Sequence, residues 1–442
     1  MLRKDDKYSV IISDMNSEGN GVCRVENTVV FVIGGVTGDE CVIKIIKVTK
    51  KYCVAVIDSL ISPSSHRREP LCPYKRCGGC VFRNITEGYE LEIKKRVVEG
   101  AFLRAGISIP VGQTYGGAFS AYRNKAQFPV GYDKNGRLSF GYYAKRSHDI
   151  VFCDRCDIAD PEFTGIAKTV CASAEKHGVS GYDEQSGKGV LRHICMRSGE
   201  SGVMLTLVIN ADALPCTDEI IKEITDAHPR VTGVYLNVNK ENTNVIYGDK
   251  FIHVKGDKKL TDNLCGNEFE TAPSSFYQVN HECCEALYSK AAELLDIKGT
   301  ETVIDLYCGV GTVGICAAKN AKKLIGIEIV PDAVENAKKN AEINGVKNAE
   351  FYQGDSSMIG TVTDRADIII VDPPRKGLDG DVIRAILDIK PEKLLYISCD
   401  PNTLARDLKI LLKQYTAEKA YPFNMFPRTS HVETVTLITR GG

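Results

Sequence analysis

The chain has 442 residues, of which 43% are hydrophobic and 26% are charged, a composition typical of a globular protein with more than one domain. Its net charge of −1 excludes a simple polycation, although residues 61–150 carry 15 basic and 7 acidic residues, a local balance of +8 that suits a nucleic-acid groove or a solvated face. No apolar run reaches the roughly 20 residues of a membrane span, and MLRKDDKYSV is too polar for a signal peptide, so we expect a cytoplasmic protein with no membrane partner.

The first segment, residues 1–60, is predicted to be a small β-barrel. Within residues 8–58, the apolar stretches YSVIISDM, TVVFVIGG, ECVIKIIKV and YCVAVIDSLI are separated by the turn-rich stretches SEGNG and GGVTGDE. Strongly β-forming runs between turn residues predict four or five short strands. So many strands in so short a segment favour closure into a barrel.

The middle segment, residues 61–265, is predicted to be an α+β domain. A polar linker, ISPSSHRREP, leads to a cluster of cysteines and then to a segment with helical spacing over residues 86–106. Residues 121–265 alternate between apolar runs and turns, which predicts mainly antiparallel strands.

The cysteines of this segment have the spacing of a metal site. Cys72, Cys77 and Cys80 form a C-x4-C-x2-C pattern, and IVFCDRCDIADP offers Cys153 or Cys156 as a fourth ligand. Such a cluster in a cytoplasmic chain favours metal ligation over disulfides. The spacing by itself does not distinguish an iron–sulfur centre from a structural zinc site with four cysteines.

The last segment, residues 266–442, is predicted to be an α/β domain with a doubly wound, Rossmann-like parallel sheet. From about residue 285 the apolar strands TVIDLYC, KLIGIEI, AEFYQGD, ADIIIVD and KLLYISC alternate with helical stretches. One of these helices has Pro331 near its start and Gly345 at its end, which are the usual signals for a helix beginning and ending.

Residues at the ends of these strands suit a nucleotide-like cofactor. Gly309 lies in a loop after the first strand, and Glu328, Asp355 and Asp372 follow the second, third and fourth strands. Ligands of such sheets bind at the carboxyl ends of the strands, where an acid after the second strand meets ribose hydroxyls. The loop lacks the third glycine of the dinucleotide pattern, which favours S-adenosylmethionine over NAD.

Cys399 ends the fifth strand and is therefore expected at the same edge of the sheet as the glycine loop. The following helix would lower the pKa of its thiol if the helix N-terminus lies close to the sulfur. We predict a reactive nucleophile at this position, and a buried core thiol is the alternative.

Five sequence motifs together resemble the RNA (uracil-5-)-methyltransferase family. These motifs are SFYQVN at 275–280, DLYCGVGT at 305–312, DPPR at 372–375, SCDPNTLARD at 398–407 and FPRTSHVE at 426–433. The first 60 residues are similar to the TRAM module, an OB-like RNA-binding barrel. With the cysteine cluster, the resemblance extends over nearly the whole chain.

The resemblance implies methylation of carbon 5 of a uridine through covalent catalysis. Cys399 would add to carbon 6, which makes carbon 5 nucleophilic, and Glu433 would remove the proton from carbon 5 after methyl transfer. Asp372 would lie beside both the cofactor and the uracil, and Phe276 would stack on the flipped base. The further cofactor-binding residues implied are Gln278, Tyr307, Gly309, Glu328 and Asp355.

The resemblance also implies a 4Fe–4S centre on Cys72, Cys77, Cys80 and Cys156, with zinc as the alternative and a structural or RNA-contacting role. Large-subunit (23S) ribosomal RNA is the expected target, and transfer RNA at its thymine loop is the alternative. Two other activities remain open: methylation of a nitrogen, which DPPR also suits, and RNA binding without catalysis. We expect a monomer.

Overall fold

Six strands at the start of the chain form one sheet in the computed structural model, which describes residues 2–441. Their spatial order is β1-β5-β6-β4-β3-β2. The buried side chains of this sheet form an apolar core of their own. The strands are β1 (Lys7–Ile11), β2 (Asp14–Met15), β3 (Asn20–Val25), β4 (Thr28–Ile33), β5 (Glu40–Val48) and β6 (Tyr52–Ser62). The described part of this segment thus has one strand more than the sequence suggested.

Helix α1 (Glu87–Ala105) follows the cysteine cluster, yet it packs against the C-terminal part of the chain. Its buried residues Val98, Ala101 and Phe102 share one apolar core with Leu404 and Leu408, which lie more than three hundred positions further on. Gly106 ends the helix with a positive φ of 74°, a conformation in which glycine is favoured. A helix from the middle of the chain therefore covers one face of the C-terminal sheet.

The central segment is a seven-stranded sheet with two helices, in the order β13-β12-β11-β10-β7-β8-β9. Its neighbouring strands are antiparallel except for β11 and β12, which the crossover helix α3 connects in parallel. The elements are β7 (Lys125–Tyr132), β8 (Leu138–Tyr143), β9 (Ile150–Phe152), α2 (Glu162–Lys176), β10 (Leu191–Gly199), β11 (Gly202–Ile209), α3 (Thr217–Ala227), β12 (Val231–Val238) and β13 (Lys250–Gly256).

A two-stranded hairpin, β14 (Leu260–Leu264) and β15 (Asn267–Thr271), leads from the central sheet to the C-terminal one. The predicted boundary between residues 265 and 266 falls in the turn of this hairpin. Leu264 and Phe269, one from each strand, belong to the same core as the first C-terminal helices. By packing, the hairpin therefore joins the C-terminal part.

The C-terminal segment is a seven-stranded sheet with helices on both faces, in the order β18-β17-β16-β19-β20-β22-β21. The first five of these strands are parallel, and β22 runs antiparallel to both β20 and β21. The elements are α4 (His281–Leu295), β16 (Thr302–Leu306), α5 (Thr312–Ala318), β17 (Lys323–Glu328), α6 (Pro331–Ile343), β18 (Ala349–Gln353), a 3-10 turn (Ser356–Met358), α7 (Ile359–Val362), β19 (Ile368–Val371), α8 (Gly380–Ile389), β20 (Lys393–Ser398), α9 (Pro401–Leu411), β21 (Tyr415–Phe423) and β22 (Glu433–Arg440).

This architecture confirms the predicted α/β class, with a Rossmann-like sheet, a strand-rich N-terminal module and an α+β centre. The strand order reverses at β16, because β17 and β18 lie on one side of it and β19 on the other. Such a reversal opens a crevice at the carboxyl ends of the strands, where ligands of α/β sheets bind. Among residues 2–441 we find no helix with the length and apolar character that crossing a bilayer would need.

A candidate active site at the carboxyl edge of the C-terminal sheet

The loop after β16 leaves open backbone at the point where the strand order reverses. Tyr307 has a φ of +62°, and Gly309 and Gly311 have φ values of +53° and +83°. A left-handed tyrosine is unusual and costs about 1–3 kcal/mol, so the surrounding structure must hold it in place. The loop therefore follows a fixed path past the sheet edge. Because glycine has no side chain, a ligand could approach the backbone closely at Gly309.

A buried carboxyl group braces this loop from below. Asp305, at the end of β16, accepts a hydrogen bond from the Gly314 amide at 2.9 Å, which ties the strand to α5. Burial raises the pKa of Asp305 to about 8, so the group holds a proton near neutral pH. Asp305 is the first residue of the motif DLYCGVGT, but the sequence assigned it no function.

Glu328 and Asp355 lie at the ends of the next two strands, as the strand pattern predicted. The Glu328 carboxylate accepts from the Gly309 amide at 3.1 Å and from the Val330 amide at 2.9 Å, so it links the glycine loop to α6. Asp355 accepts from the Ser357 amide at 2.9 Å, and hydrogen bonds from the Ser357 side chain and then its amide lower the pKa of Asp355. Each carboxylate retains lone pairs for the hydroxyl or amine groups of a ligand.

Cys399 and Glu433 come together through strand pairing. Ser398 at the end of β20 lies opposite Thr434 of β22. The antiparallel register therefore brings the next pair, Cys399 and Glu433, into line across the sheet edge, where Cβ atoms of opposed residues are about 4.5–5.5 Å apart. Asp372 follows the neighbouring strand β19, and its charge acts on both residues.

The three groups share an environment in which negative charge is disfavoured. Glu433 is only 6% exposed, and burial, followed by the charge of Asp372, raises its pKa to about 8. Burial likewise raises the pKa of Asp372 to about 7, although the residue retains some accessible surface. Burial, followed by Glu433 and Asp372, raises the pKa of Cys399 to about 12.

The prediction of a lowered pKa for Cys399 was therefore wrong for the free protein. Helix α9 does begin directly after the cysteine, but Asp400 caps that helix by accepting from the amides of Asn402 and Thr403. The capping carboxylate uses the helix N-terminus that was expected to stabilise a thiolate. Burial and two neighbouring carboxyl groups then outweigh what remains of the helix dipole.

A cleft of about 480 Å³ opens in front of Cys399. One wall comes from the N-terminal sheet, a second from α1 and a third from the segment before β22. The lining residues are Asp14, Met15, Ser17, Ile93, Arg96, Val97, Arg104, Cys399, Asp400, Pro401, Asn402, Ser430, His431 and Val432. This cleft could not be predicted from the sequence, because the residues that line it are far apart in the chain.

The structure distinguishes two arginines, Arg375 and Arg406, to which the sequence assigned no function. Arg406 donates to the carbonyls of Lys376 at 2.8 Å and Leu378 at 3.1 Å, so it supports the loop after β19. Arg375 is exposed, lies 3.3 Å from the His431 ring, and its charge lowers the pKa of Cys399 and Glu433. Arg375 is thus the arginine that faces the site.

The segment that carries Phe276 and Gln278 lies between the central and C-terminal sheets. Phe276 is 75% exposed, so it is not part of the core and its ring is free to stack on a ligand. The Gln278 carbonyl accepts from the Asn124 side chain at 3.1 Å, and Asn280 caps α4. The backbone is therefore anchored on both sides while the Phe276 ring projects outward.

The predicted metal ligands line a second cavity, of about 360 Å³, in the central domain. Cys72, Cys77, Cys80 and Cys156 all face it, and so does Cys153, the alternative fourth ligand. Burial, followed by the nearby Cys156 and Cys77, raises the pKa of Cys80 to about 12. Within residues 2–441, no three His, Cys, Asp or Glu side chains already form a group that could hold a metal ion.

Comparison with known proteins gives a consistent result at the level of families. The family model described as tRNA (Uracil-5-)-methyltransferase matches residues 253–441, and the TRAM domain model matches residues 6–57. An uncharacterized RNA methyltransferase from Bacillus cereus (strain ATCC 10987 / NRS 248) is 39% identical over 453 residues, which cover 99% of this chain and 98% of the relative. One from Clostridium tetani (strain Massachusetts / E88) is 39% identical over 451 residues, covering 100% and 98%.

One solved structure is similar over the whole length. The Pyrococcus abyssi tRNA (uracil-54, C5)-methyltransferase in complex with S-adenosyl-L-homocysteine superposes with a TM-score of 0.79 at 26% identity. The match covers 98% of this chain and 100% of that chain. The arrangement of modules is therefore shared, and not only the sheet of the C-terminal part.

Proposed function

Because the chain belongs to the RNA (uracil-5-)-methyltransferase family, whose members use S-adenosylmethionine, we propose that it methylates carbon 5 of a uridine in 23S ribosomal RNA through a covalent intermediate on Cys399. The observation that carries this proposal is the alignment of Cys399 with Glu433 across the sheet edge, beside Asp372 and the glycine loop. A methyltransferase directed at a nitrogen needs no such thiol and base.

The roles follow from the chemistry of the uracil ring. Cys399 Sγ forms a bond to carbon 6, and the displaced electron pair makes carbon 5 an enolate carbon that attacks a methyl group. Bound S-adenosylmethionine would supply that methyl group from its sulfonium, which leaves S-adenosylhomocysteine. Glu433 then takes the proton from carbon 5, the electron pair left behind re-forms the double bond between carbons 5 and 6, and the bond between sulfur and carbon 6 breaks, which releases 5-methyluridine and the Cys399 thiolate.

The raised pKa values of the two carboxyl groups suit these roles. A carboxyl group whose pKa is raised to about 8 by burial, as for Glu433, is a stronger base than an ordinary glutamate and works close to neutral pH. Cys399 must lose its proton first, and the positive charge of Arg375 lowers the pKa of Cys399 and favours this loss. Asp372, whose pKa burial raises to about 7, is able to donate a hydrogen bond to the uracil edge when protonated.

Cofactor contacts are assigned on the same geometry. We assign Glu328 to the ribose hydroxyls, Asp355 to the adenine edge and Gly309 to the close approach of the cofactor to the backbone. Tyr307 and Gln278 are assigned as further cofactor contacts, and Phe276 offers an exposed ring for the flipped uracil. These assignments extend the family's pattern to positions of this chain that carry the same residue types.

A second candidate target is transfer RNA. The relative with the solved structure is named for uracil 54 of transfer RNA, and it matches this chain over its whole length. Mapping 5-methyluridine in total RNA from cells with and without this protein separates the two targets. Loss of a ribosomal site supports the first proposal, and loss confined to transfer RNA replaces it with the second.

A variant series tests the covalent mechanism. Purified protein is incubated with ribosomal or transfer RNA that lacks the modification and with methyl-labelled S-adenosylmethionine. Glu433→Gln should accumulate an RNA–protein adduct that survives SDS, and Cys399→Ala should give neither adduct nor product. Cys216→Ala, at an exposed thiol far from the cleft, is the matched control and should behave as the wild type. Turnover by Cys399→Ala would refute the mechanism, and RNA binding without any methyl transfer would leave only an RNA-binding protein.

The central cavity fits a metal centre held by Cys72, Cys77, Cys80 and Cys156. The donors are all thiols, and burial, followed by the nearby Cys156 and Cys77, raises the pKa of Cys80 to about 12. Four thiols suit a 4Fe–4S centre and a structural zinc ion alike, and the family resemblance favours the 4Fe–4S centre. Such a centre would supply a rigid cross-link between two loops. Iron, sulfide and zinc analysis of anaerobically purified protein distinguishes the two.

A further inference from the structure

Helix α1 carries an ion pair that has no contact with water. The Lys94 ammonium lies 3.3 Å from the Glu90 carboxylate one turn earlier, and both side chains are 0% exposed. Burying two charges is costly, and well-packed apolar residues are often at least as stable in such a place. The same helix also carries a surface pair, Lys95 and Glu99, at 3.5 Å with exposures of 26% and 44%.

The buried pair bonds to one short segment, residues 424–428, which follows β21. Lys94 donates to the Phe426 carbonyl at 3.0 Å and to the Asn424 side chain. Glu90 accepts from the Arg428 amide at 2.8 Å, and the Arg428 guanidinium lies 3.6 Å from the same carboxylate. These contacts include two backbone groups, the Phe426 carbonyl and the Arg428 amide, so the pair fixes the path of the segment and not only its side chains.

This segment leads directly to the candidate base. It continues through residues 430–432, which line the cleft beside Cys399, and ends at Glu433. Arg428 has a φ of +68°, a strained conformation for an arginine that its bonded neighbours must maintain. The Arg428 carbonyl also accepts from the amides of Val81 at 2.8 Å and Phe82 at 3.0 Å, immediately after Cys80. The turn before Glu433 is thus held from several sides. The Glu90–Lys94 pair forms the fully buried charged part of that support, beside the ion pair of Arg428 with the exposed Glu87 at 2.8 Å.

We propose that Glu90 and Lys94 are positioning residues for Glu433, holding residues 424–432 so that the carboxylate reaches the carbon 5 proton after methyl transfer. The inference rests on the proposed function, because it concerns the base of that reaction. It predicts that the step from covalent intermediate to product depends on α1, while cofactor binding does not.

The charges around the base agree with this role. Lys94 and Arg375 both lower the pKa of Glu433, against burial and Asp372, which raise it. Lys94 also faces Glu90, Arg428 and the Cys283 thiol, and burial lowers its own pKa to about 8. The pair therefore supplies a positive charge near the carboxylate as well as a fixed backbone.

The test compares Lys94→Met, Lys94→Arg and the surface control Lys95→Met. For Lys94→Met we expect kcat to fall by about 10²-fold, the change that a displacement of about 1 Å can cause, with the KM for S-adenosylmethionine within about twofold of the wild type. The SDS-resistant adduct should accumulate as in Glu433→Gln. Amides of residues 424–433 should exchange with deuterium about tenfold faster in the free protein. Lys94→Arg should recover most of the rate, and Lys95→Met should match the wild type.

A double variant, Glu90→Gln with Lys94→Met, covers the case in which an unpaired buried Glu90 prevents folding, because it removes both charges of the pair. It should fold and give the same adduct and exchange results. The proposal is overturned if the amides of residues 424–433 exchange with deuterium at wild-type rates in Lys94→Met or in the double variant. It is also overturned if these amides exchange faster but the adduct does not accumulate, provided that the wild-type protein turns over. If the wild-type protein transfers no methyl group, the proposed function fails by itself, and the exchange measurement still decides whether the pair holds the segment.

Discussion

The buried carboxyl group of Glu433 makes the stability of the free protein depend on pH. Burial, followed by the charge of Asp372, raises its pKa from 4.5 to about 8. Between these values the folded state keeps a proton that the unfolded state has released. The free energy of unfolding therefore falls as the pH rises through this window, and Glu433→Gln, which has nothing to titrate, removes that contribution.

The size of the effect follows from the width of the window. Each pH unit inside it is worth up to about 1.4 kcal/mol for one group. Between about pH 5.5 and about pH 7.5, the free energy of unfolding of Glu433→Gln minus that of the wild type should rise by up to about 2.7 kcal/mol. Local relaxation that admits water around the carboxylate reduces this rise. We therefore expect the difference in free energy of unfolding to shift by about 1–2 kcal/mol in favour of the variant at the higher pH.

Urea unfolding followed by far-UV circular dichroism measures this gain, since the chain contains no tryptophan for fluorescence. Glu418→Gln is the matched control, because Glu418 is an exposed carboxylate on the adjacent strand β21 and its replacement makes the same chemical change without altering a buried group. A constant difference for Glu433→Gln over the same range would refute the raised pKa. It would also remove the reason for expecting this residue to act as a base near neutral pH.

Three other measurements address the cofactor, the nucleophile and the cysteine cavity. Glu328→Gln should weaken S-adenosylhomocysteine binding by about tenfold, measured by isothermal titration calorimetry, because hydrogen bonds to a charged acceptor are about twice as strong as neutral ones. Cys399 should react with iodoacetamide at neutral pH more slowly than the exposed Cys216, because burial raises the pKa of Cys399 to about 12 and the thiolate is the reactive form. Mass spectrometry of the labelled thiols would measure both rates. Cys80→Ser should lose more than half of the bound iron per chain in a colorimetric assay of anaerobically purified protein.

Contrary results would each reject one assignment. Unchanged affinity in Glu328→Gln places the ribose elsewhere. Labelling of Cys399 as fast as that of Cys216 means that its thiol is already ionised in the free protein. Full iron content in Cys80→Ser removes that cysteine from the ligand set.

The strand pattern of the C-terminal segment was predictable because it is local. Apolar runs such as KLLYISC, separated by helical stretches, correspond to β20 and its parallel neighbours. Residues that follow a parallel strand lie at its carboxyl edge whatever the details of packing. That is why Cys399, Asp372 and Glu328 were expected at one edge, and the structure places all three there.

The position of Glu433 was harder to predict, because it depends on β22 entering the sheet antiparallel to β20. Only the register, with Ser398 opposite Thr434, brings the carboxylate next to the thiol. Before the structure, the placement rested on the resemblance of FPRTSHVE to a family motif. A lone acid at the start of a strand carries no local signal of its partner.

The sequence by itself determined the fold class, the glycine loop and the position of the candidate nucleophile, because spacing and residue type are properties of neighbouring positions. Tertiary structure decided the direction of the Cys399 pKa, since burial and the charges of Glu433 and Asp372 come from other strands. It also decided that Lys94 of α1 is buried with Glu90 and bonds to the segment that leads to the candidate base. Burial and charge proximity are properties of the folded chain, and segments far apart in sequence acquire them only when they pack.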